Sequence, residues 1–185
     1  MARAVTIRQA TVNDAPALQR YIAELRAERL PVLLPIERVP TLEEERAFIR
    51  GLVEHETSTL LLAFRDQELV GTLDLQGSDR PGMEHCGRLG MSVARAYRTQ
   101  GIGTHLLEEV LTWAVASGRI RRIELEVLAI NPAAIALYRK MGFVQEGCKH
   151  QAVCAGGQLV DLLGMAYLLE GDQAPGRGQA RPKSR

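Results

Sequence analysis

The segment Arg98-Thr-Gln-Gly101-Ile-Gly103-Thr104 lies between a predicted strand and a predicted amphipathic helix. The first backbone amides of a helix lack internal acceptors and carry the positive end of its dipole, and glycine lets a phosphate approach that backbone closely. Arg98 can add a charge-assisted hydrogen bond. Leu106 stands where a dinucleotide fingerprint has its third glycine, and the sequence has no Gly-Lys-Ser/Thr. The spacing therefore predicts either an anion-binding loop of another kind or an ordinary turn.

Hydropathy patterns on either side of this segment predict a protein with both helices and strands. Alternating and short apolar runs predict strands over residues 3–9, 59–64, 69–75, 87–93, 123–128, 143–150 and 159–169. Helical periodicity and capping residues predict helices that begin near residues 14, 42, 101 and 132. The order of these elements does not alternate strictly enough for a doubly wound sheet. It predicts an α+β fold in which helices cover a sheet.

Four motifs in the second half of the chain follow one another at short intervals. They are Leu89-Gly-Met-Ser-Val93, Tyr97-Arg-Thr-Gln-Gly-Ile-Gly-Thr104, Glu124-Leu-Glu-Val127 and Asn131-Pro-Ala-Ala-Ile-Ala-Leu-Tyr138-Arg-Lys-Met-Gly-Phe143. Their order and spacing resemble the acetyl-CoA core of the GCN5-related N-acetyltransferase (GNAT) superfamily, near its bacterial small-amine and ribosomal-protein branches. The resemblance implies the GNAT fold, a mixed and mostly antiparallel twisted sheet of about seven strands flanked by about four helices.

The resemblance also implies which residues hold the co-substrate acetyl-CoA. Met91 and Val93 are expected to offer backbone groups to the pantetheine arm, which would lie beside them like an extra strand. Core packing is compatible with that role. Asn131 is expected to bond the pantetheine or cysteamine portion, and as a helix N-cap it also has a structural role. The pyrophosphate is expected at six residues of the glycine-rich segment: Arg98, Gln100, Gly101, Ile102, Gly103 and Thr104.

Two side chains are candidates for proton transfer during acetyl transfer. Tyr138 matches the family tyrosine that protonates the leaving thiolate, although a core tyrosine would show the same helical spacing. Glu126 is the expected general base, which takes a proton from the ammonium so that the amine can attack, and a solvated strand carboxylate is the alternative. Glu84, His85 and ordered water are rivals for the role of base.

Composition narrows the classes of function. The net charge is only +1 at pH 7, which argues against a protein built to bind nucleic acid, although residues 1–87 carry −4 and residues 88–140 carry +4. The 3 cysteines include no Cys-x-x-Cys, and the histidines have no ligand-like spacing to one another or to cysteine, which predicts no disulfide framework and no metal. Neither a signal-peptide apolar region nor a run of about 18 apolar residues occurs. The sequence predicts a cytoplasmic protein without a membrane partner.

The motifs lead to one functional hypothesis and two alternatives. The hypothesis is an acetyl-CoA-dependent N-acetyltransferase that acetylates a primary amine of a small molecule, such as an amino acid or polyamine, by direct attack in a ternary complex. One alternative is a protein N-terminal acetyltransferase of the ribosomal-protein type. The other is a non-catalytic acyl-CoA-binding module. A homodimer, the commonest symmetric oligomer, is compatible with each of them.

The remaining expectations concern chain organisation and the amine site. Residues 1–170 are expected to form one GNAT domain, and residues 171–185 a disordered basic tail. The apolar, proline-containing loop at residues 30–39 is expected to line the amine site. Glu28 or Glu37 is the expected ammonium partner there.

Overall fold

The computed structural model describes residues 4–28 and 38–169. Its strands are β1 Thr6–Gln9, β2 Thr59–Arg65, β3 Glu68–Gly77, β4 Cys86–Val93, β5 Arg122–Leu128, β6 Val144–Ala155 and β7 Gln158–Leu168. Its helices are α1 Ala15–Ala27, α2 Leu42–Val53, α3 Ile102–Ser117 and α4 Pro132–Lys140. The predicted α+β order is confirmed. In the part of the chain that the structure describes, no helix has the length and apolar character needed to cross a membrane.

Local sequence signals explain where the helices begin and end. Helix α2 starts in a capping box, in which the Glu44 amide donates to the Thr41 hydroxyl at 3.3 Å and the Thr41 amide donates to the Glu44 carboxylate at 2.7 Å. Helix α4 starts at Asn131, whose side chain accepts from the Ala134 amide at 3.1 Å. Helix α3 ends at Gly118, which has a left-handed φ of 64°.

All seven strands form one sheet in the order β1-β2-β3-β4-β5-β7-β6. Neighbouring strands pair antiparallel except β4 and β5, which run parallel. The expected mixed, mostly antiparallel sheet is therefore confirmed. The parallel pair forms because α3 carries the chain back between β4 and β5, as a parallel connection requires.

Helices cover both faces of the sheet, and side-chain alternation assigns residues to each face. Helix α3 packs one face through Ile102, Leu106 and Val110, against a buried cluster that includes Leu73, Leu75, Ile123 and Leu125. Helices α1 and α2 pack the other face through Leu18, Ile22 and Ile49, against Leu60 and Leu62. Below, these are called the α3 face and the α1 face.

One strand is longer than the sequence predicts, and two segments with expectations from the sequence lie outside the described residues. Strand β6 continues to Ala155 although its pattern predicts an end at residue 150, because its partner β7 pairs with it again at Val153 after an irregularity that follows Lys149. The expected tail at 171–185 and residues 30–37 of the expected amine-site loop lie outside the described residues.

Candidate functional site

The parallel strands β4 and β5 separate soon after they meet. Within these two described strands, pairing covers three positions, from Cys86 opposite Arg122 to Arg88 opposite Glu124. Beyond Arg88, the described residues of β4 make no backbone pairs with those of β5. The sheet therefore opens into a gap with backbone hydrogen-bonding groups along its sides.

The pairing register of β4 shows which residues face this gap. The Ala94 amide donates to the Val70 carbonyl of β3 at 2.9 Å. In an antiparallel pair, alternate residues bond the neighbouring strand, so Met91 and Val93 direct their amides and carbonyls away from β3. The structure therefore gives both residues the orientation that backbone pairing with an extended ligand needs.

The start of α3 presents free amides near the same gap. Gly101 is the N-cap with a φ of 85°, a left-handed conformation that favours glycine. The His105 amide donates to the Gly101 carbonyl at 3.1 Å. The amides of Ile102, Gly103 and Thr104 precede this bond and have no acceptor inside the helix. Free amides of this kind can bind an anion, and binding of the pyrophosphate here stays a prediction.

Gly103 brings three elements of the expected site together. A Cβ placed on Gly103 would lie 3.0 Å from Leu137 Cδ2 of α4 and 3.5 Å from Met91 Cε of β4. The absence of a side chain thus allows close approach of the α3 N-terminus, the gap strand and α4. Tight packing at this point fixes the distance between the amides of α3 and the side of the gap.

Two polar side chains of the segment are held by the protein itself. Arg98 donates through Nε to the Val93 carbonyl at 2.8 Å and through Nη2 to the Glu28 carboxylate at 2.6 Å. Gln100 donates to the Ala96 carbonyl at 2.9 Å and accepts from Arg65 at 2.8 Å. Glu28 is therefore an ion-pair partner of Arg98 rather than an isolated ammonium partner. Phosphate binding by Arg98 and Gln100 stays a prediction.

Helix α4 places the expected acid beside the gap on the α3 face. Tyr138 is buried, at 6% exposure, in the cluster that contains Ile123 and Leu125 of β5. Burial raises the pKa of Tyr138 to about 12, because the phenolate would lose its hydration. The hydroxyl is therefore protonated at neutral pH, as a proton donor must be. Asn131 uses its side-chain oxygen as the N-cap, and its expected ligand contact stays a prediction.

The α1 face carries charged side chains that alternate in sign across the strands. Glu126 of β5 accepts from Arg88 of β4 at 3.0 Å and from Lys149 of β6 at 2.5 Å. Strand β7 runs between β5 and β6, and it has Gly164 opposite Glu126. With no β7 side chain in between, Lys149 can reach across. The expected base is thus an ion-paired carboxylate.

A second carboxylate, Asp74 of β3, extends this arrangement and was missed from the sequence. It lies opposite Gly90 of β4, and a Cβ on Gly90 would be only 2.7 Å from Asp74 Oδ1. Burial raises the pKa of Asp74, while a hydrogen bond from Gln76 and the charge of Arg88 oppose that rise. The available signal was an acid between two apolar strand residues, Leu-Asp-Leu, as at Glu126 in Leu-Glu-Val.

We call Asp74, Arg88, Glu126 and Lys149 the charged row. Part of it lines a cleft of about 290 Å³ that includes Arg88, Arg122, Glu124, Leu125, Glu126, Glu146, Lys149, Gly164 and Met165. The rival bases Glu84 and His85 lie before β4, at the end of that strand where β4 and β5 are paired. Glu84 and His85 are therefore farther from the open end of the gap than the charged row is.

Known proteins similar to this chain identify its family. The model of the acetyltransferase (GNAT) family matches residues 20–143. This chain belongs to the GNAT family. The match spans the opened parallel strands, the glycine-rich start of α3 and the helix that carries Tyr138.

Relatives of this chain include acetyltransferases that differ in the acceptor given in their names. The L-amino acid N-acetyltransferase AaaT of Escherichia coli K12 is 29% identical over 88% of this chain and 96% of its own length. A GNAT acetyltransferase from Streptococcus pneumoniae is 31% identical, with a TM-score of 0.85 over 90% of this chain and 100% of its own. A ribosomal-protein-alanine N-acetyltransferase from Brucella melitensis is 29% identical, with a TM-score of 0.76 over 89% of this chain and 99% of its own.

The anion site at the start of α3 leads to a first prediction. Gly103→Glu puts a carboxylate beside the free amides and forces a side chain against Leu137, 3.0 Å away. We expect the Kd for coenzyme A, measured by calorimetry, to rise at least about tenfold. The matched control is Thr112→Glu, which adds the same charge at an exposed position of α3 and should leave that Kd unchanged. An unchanged Kd in folded Gly103→Glu would contradict the anion site.

Proposed function

We propose that this GNAT protein transfers the acetyl group of acetyl-CoA to the primary amine of a small molecule, with a free amino acid as the preferred class. Transfer is direct, by attack of the amine on the thioester within a ternary complex. Met91, Val93, Asn131 and the start of α3 hold acetyl-CoA. The acceptor lies on the α1 face, at the charged row.

The observation that carries this proposal is the mixed charge of the acceptor cleft. The carboxylates of the cleft can bind an ammonium group. Arg88 and Lys149, which both contact Glu126, can bind a carboxylate group next to that ammonium. A free amino acid carries both groups on one carbon. A cleft of about 290 Å³ is near the lower end of the range for small-molecule sites. The name of the relative AaaT, an L-amino acid N-acetyltransferase, favours the same class.

The proposed reaction uses proton-transfer groups on opposite faces of the sheet. A carboxylate of the charged row, Glu126 or Asp74, takes a proton from the ammonium on the α1 face. The neutral nitrogen then bonds to the thioester carbonyl carbon, the carbon–sulfur bond breaks, and the nitrogen releases its second proton to solvent to leave the neutral amide. Tyr138, on the α3 face, gives its proton to the leaving thiolate and regains one from solvent. The gap between β4 and β5 connects the two faces.

An amine panel tests the acceptor class. For one amino acid we would measure thiol release with the free acid, its primary amide and a short peptide that starts with that residue. We expect the free acid to have a kcat/KM at least about tenfold above the amide, since the amide loses a charge-assisted hydrogen bond. Lys149→Ala should reduce this preference. Lys140→Ala, which removes an exposed lysine of α4, should not.

The same panel can refute the proposal. Equal rates for the acid and the amide would show that no carboxylate is recognised. Coenzyme A binding without thiol release for any amine would indicate the non-catalytic module.

A second candidate is acetylation of a protein N-terminus. It is favoured by the similarity to the Brucella ribosomal-protein-alanine N-acetyltransferase over 89% of this chain. A protein N-terminus offers an ammonium group without a neighbouring carboxylate. A peptide kcat/KM above that of the free acid, unaffected by Lys149→Ala, would therefore select this candidate.

The proposed acid can be tested by removing one oxygen. Tyr138→Phe keeps the ring and its packing against Phe143, 5.7 Å away between ring centroids. We expect kcat to fall about 100-fold, with little change in the Kd for acetyl-CoA, because only the proton is lost. If kcat stays within about twofold, Tyr138 serves packing alone.

The two candidate bases differ in their environments, so their variants should differ. Burial raises the pKa of Asp74, which favours its role as proton acceptor, whereas Glu126 forms ion pairs with two cations. We expect Asp74→Asn to lower kcat at least about 100-fold and to remove the acidic limb of the kcat/KM profile. Glu126→Gln should mainly raise the amine KM. The reverse pattern would assign the base to Glu126.

A further inference from the structure

Three potential metal ligands converge on the outer hairpin formed by β6 and β7. Cys148 Sγ lies 3.8 Å from His150 Nδ1 and 3.6 Å from Asp161 Oδ2. His150 Nδ1 and Asp161 Oδ2 are 3.0 Å apart. The three potential ligand atoms, a soft sulfur, an imidazole nitrogen and a carboxylate oxygen, thus all lie within 4.8 Å of one another.

The backbone explains why these atoms meet. Cys148 and His150 are two residues apart on β6 and point to the same side. Asp161 of β7 is next to Leu162, the pairing partner of Lys149. The pairing of β6 with β7 is interrupted between Lys149 and Val153, where Gln151 has a φ of 51°. The Gln151 amide donates to Asp161 Oδ1 at 2.8 Å, which leaves Oδ2 directed at the other two ligands.

The arrangement is not that of a catalytic triad. In a triad, the nucleophile and the carboxylate bind different nitrogens of the histidine. Here Cys148 and Asp161 both approach Nδ1 of His150. Desolvation and the Asp161 carboxylate raise the pKa of the Cys148 thiol, which is the opposite of what an activated nucleophile requires.

The distances fit a tetrahedral zinc ion. With zinc bonds of about 2.3 Å to sulfur and about 2.0–2.1 Å to nitrogen and oxygen, ligand atoms of a tetrahedral site are about 3.3–3.6 Å apart. The three observed separations lie within about 0.3 Å of that range. All three residues reach solvent, so water can complete the coordination.

We propose that Cys148, His150 and Asp161 form a zinc-binding site. The ion would tie β6 to β7 where their backbone pairing is interrupted, and so would stabilise the outer edge of the sheet. Lys149, between two of the ligands, points to the opposite side of β6 and reaches Glu126 of the charged row. The proposed site is therefore separate from the acceptor cleft, and its test does not depend on acetyl transfer.

The experiment is a zinc titration of the full-length, reduced protein after removal of metal with a chelator. Competition with a chromophoric chelator should show one zinc ion per chain. Cobalt(II) should give a thiolate-to-cobalt charge-transfer band. Cys148→Ser, His150→Gln and Asp161→Asn should each weaken zinc binding by more than about tenfold, and Cys148→Ser should abolish the band.

Two matched controls distinguish this site from general surface binding. Cys154→Ser removes another exposed cysteine of β6, and His105→Gln removes an exposed histidine of α3. Neither should change zinc affinity. Zinc should also raise the Tm of the parent and of both controls, but not of the three ligand variants.

Several outcomes would overturn the proposal. These are no zinc bound at about 10 µM free zinc, a Kd that is unchanged in Cys148→Ser, or equal losses in the ligand and control variants. Because Asp161 also holds the Gln151 amide, circular dichroism of Asp161→Asn would check its fold. The Cys148→Ser and His150→Gln results decide the matter if that variant unfolds.

Discussion

The separation of β4 from β5 is the constraint on which the rest of this structure depends. Parallel pairing over three positions holds the two strands together at one end, and beyond Arg88 they diverge. Backbone amides and carbonyls next to such a gap need partners, and an extended ligand can supply them. The start of α3 directs its free amides to the same region, since Gly103 lets it approach Met91 and Leu137 closely.

The gap also allows the proposed active centre to use groups from both faces of the sheet. Tyr138 lies in the apolar cluster of the α3 face, where burial keeps its hydroxyl protonated. Asp74 and Glu126 lie on the α1 face among cations. An intact sheet would separate the proposed acid from the proposed bases by a layer of paired backbone. An opened sheet allows a thioester between β4 and β5 to be reached from both sides.

Two glycines in the strands leave space for side chains of the charged row. Gly90 leaves room for the Asp74 carboxylate above β4, and Gly164 leaves room for Lys149 to contact Glu126 across β7. A larger residue at Gly90 would displace Asp74, because a Cβ there would lie 2.7 Å from Oδ1. Cys148 and His150 lie on the other side of β6 from Lys149, so this strand contributes to both proposed sites.

The sequence by itself determined the helices and strands, the glycine-rich start of α3 and the residues expected around acetyl-CoA. These follow from local rules: apolar periodicity, capping residues and the conformational freedom of Gly101. Only the tertiary structure decided that Arg98 pairs with Glu28, that Asp74 is buried near the charge of Arg88, and that Asp161 lies close to Cys148 and His150. Those contacts depend on strand order and register, which are fixed by burial across the whole sheet and not by neighbouring residues in the chain.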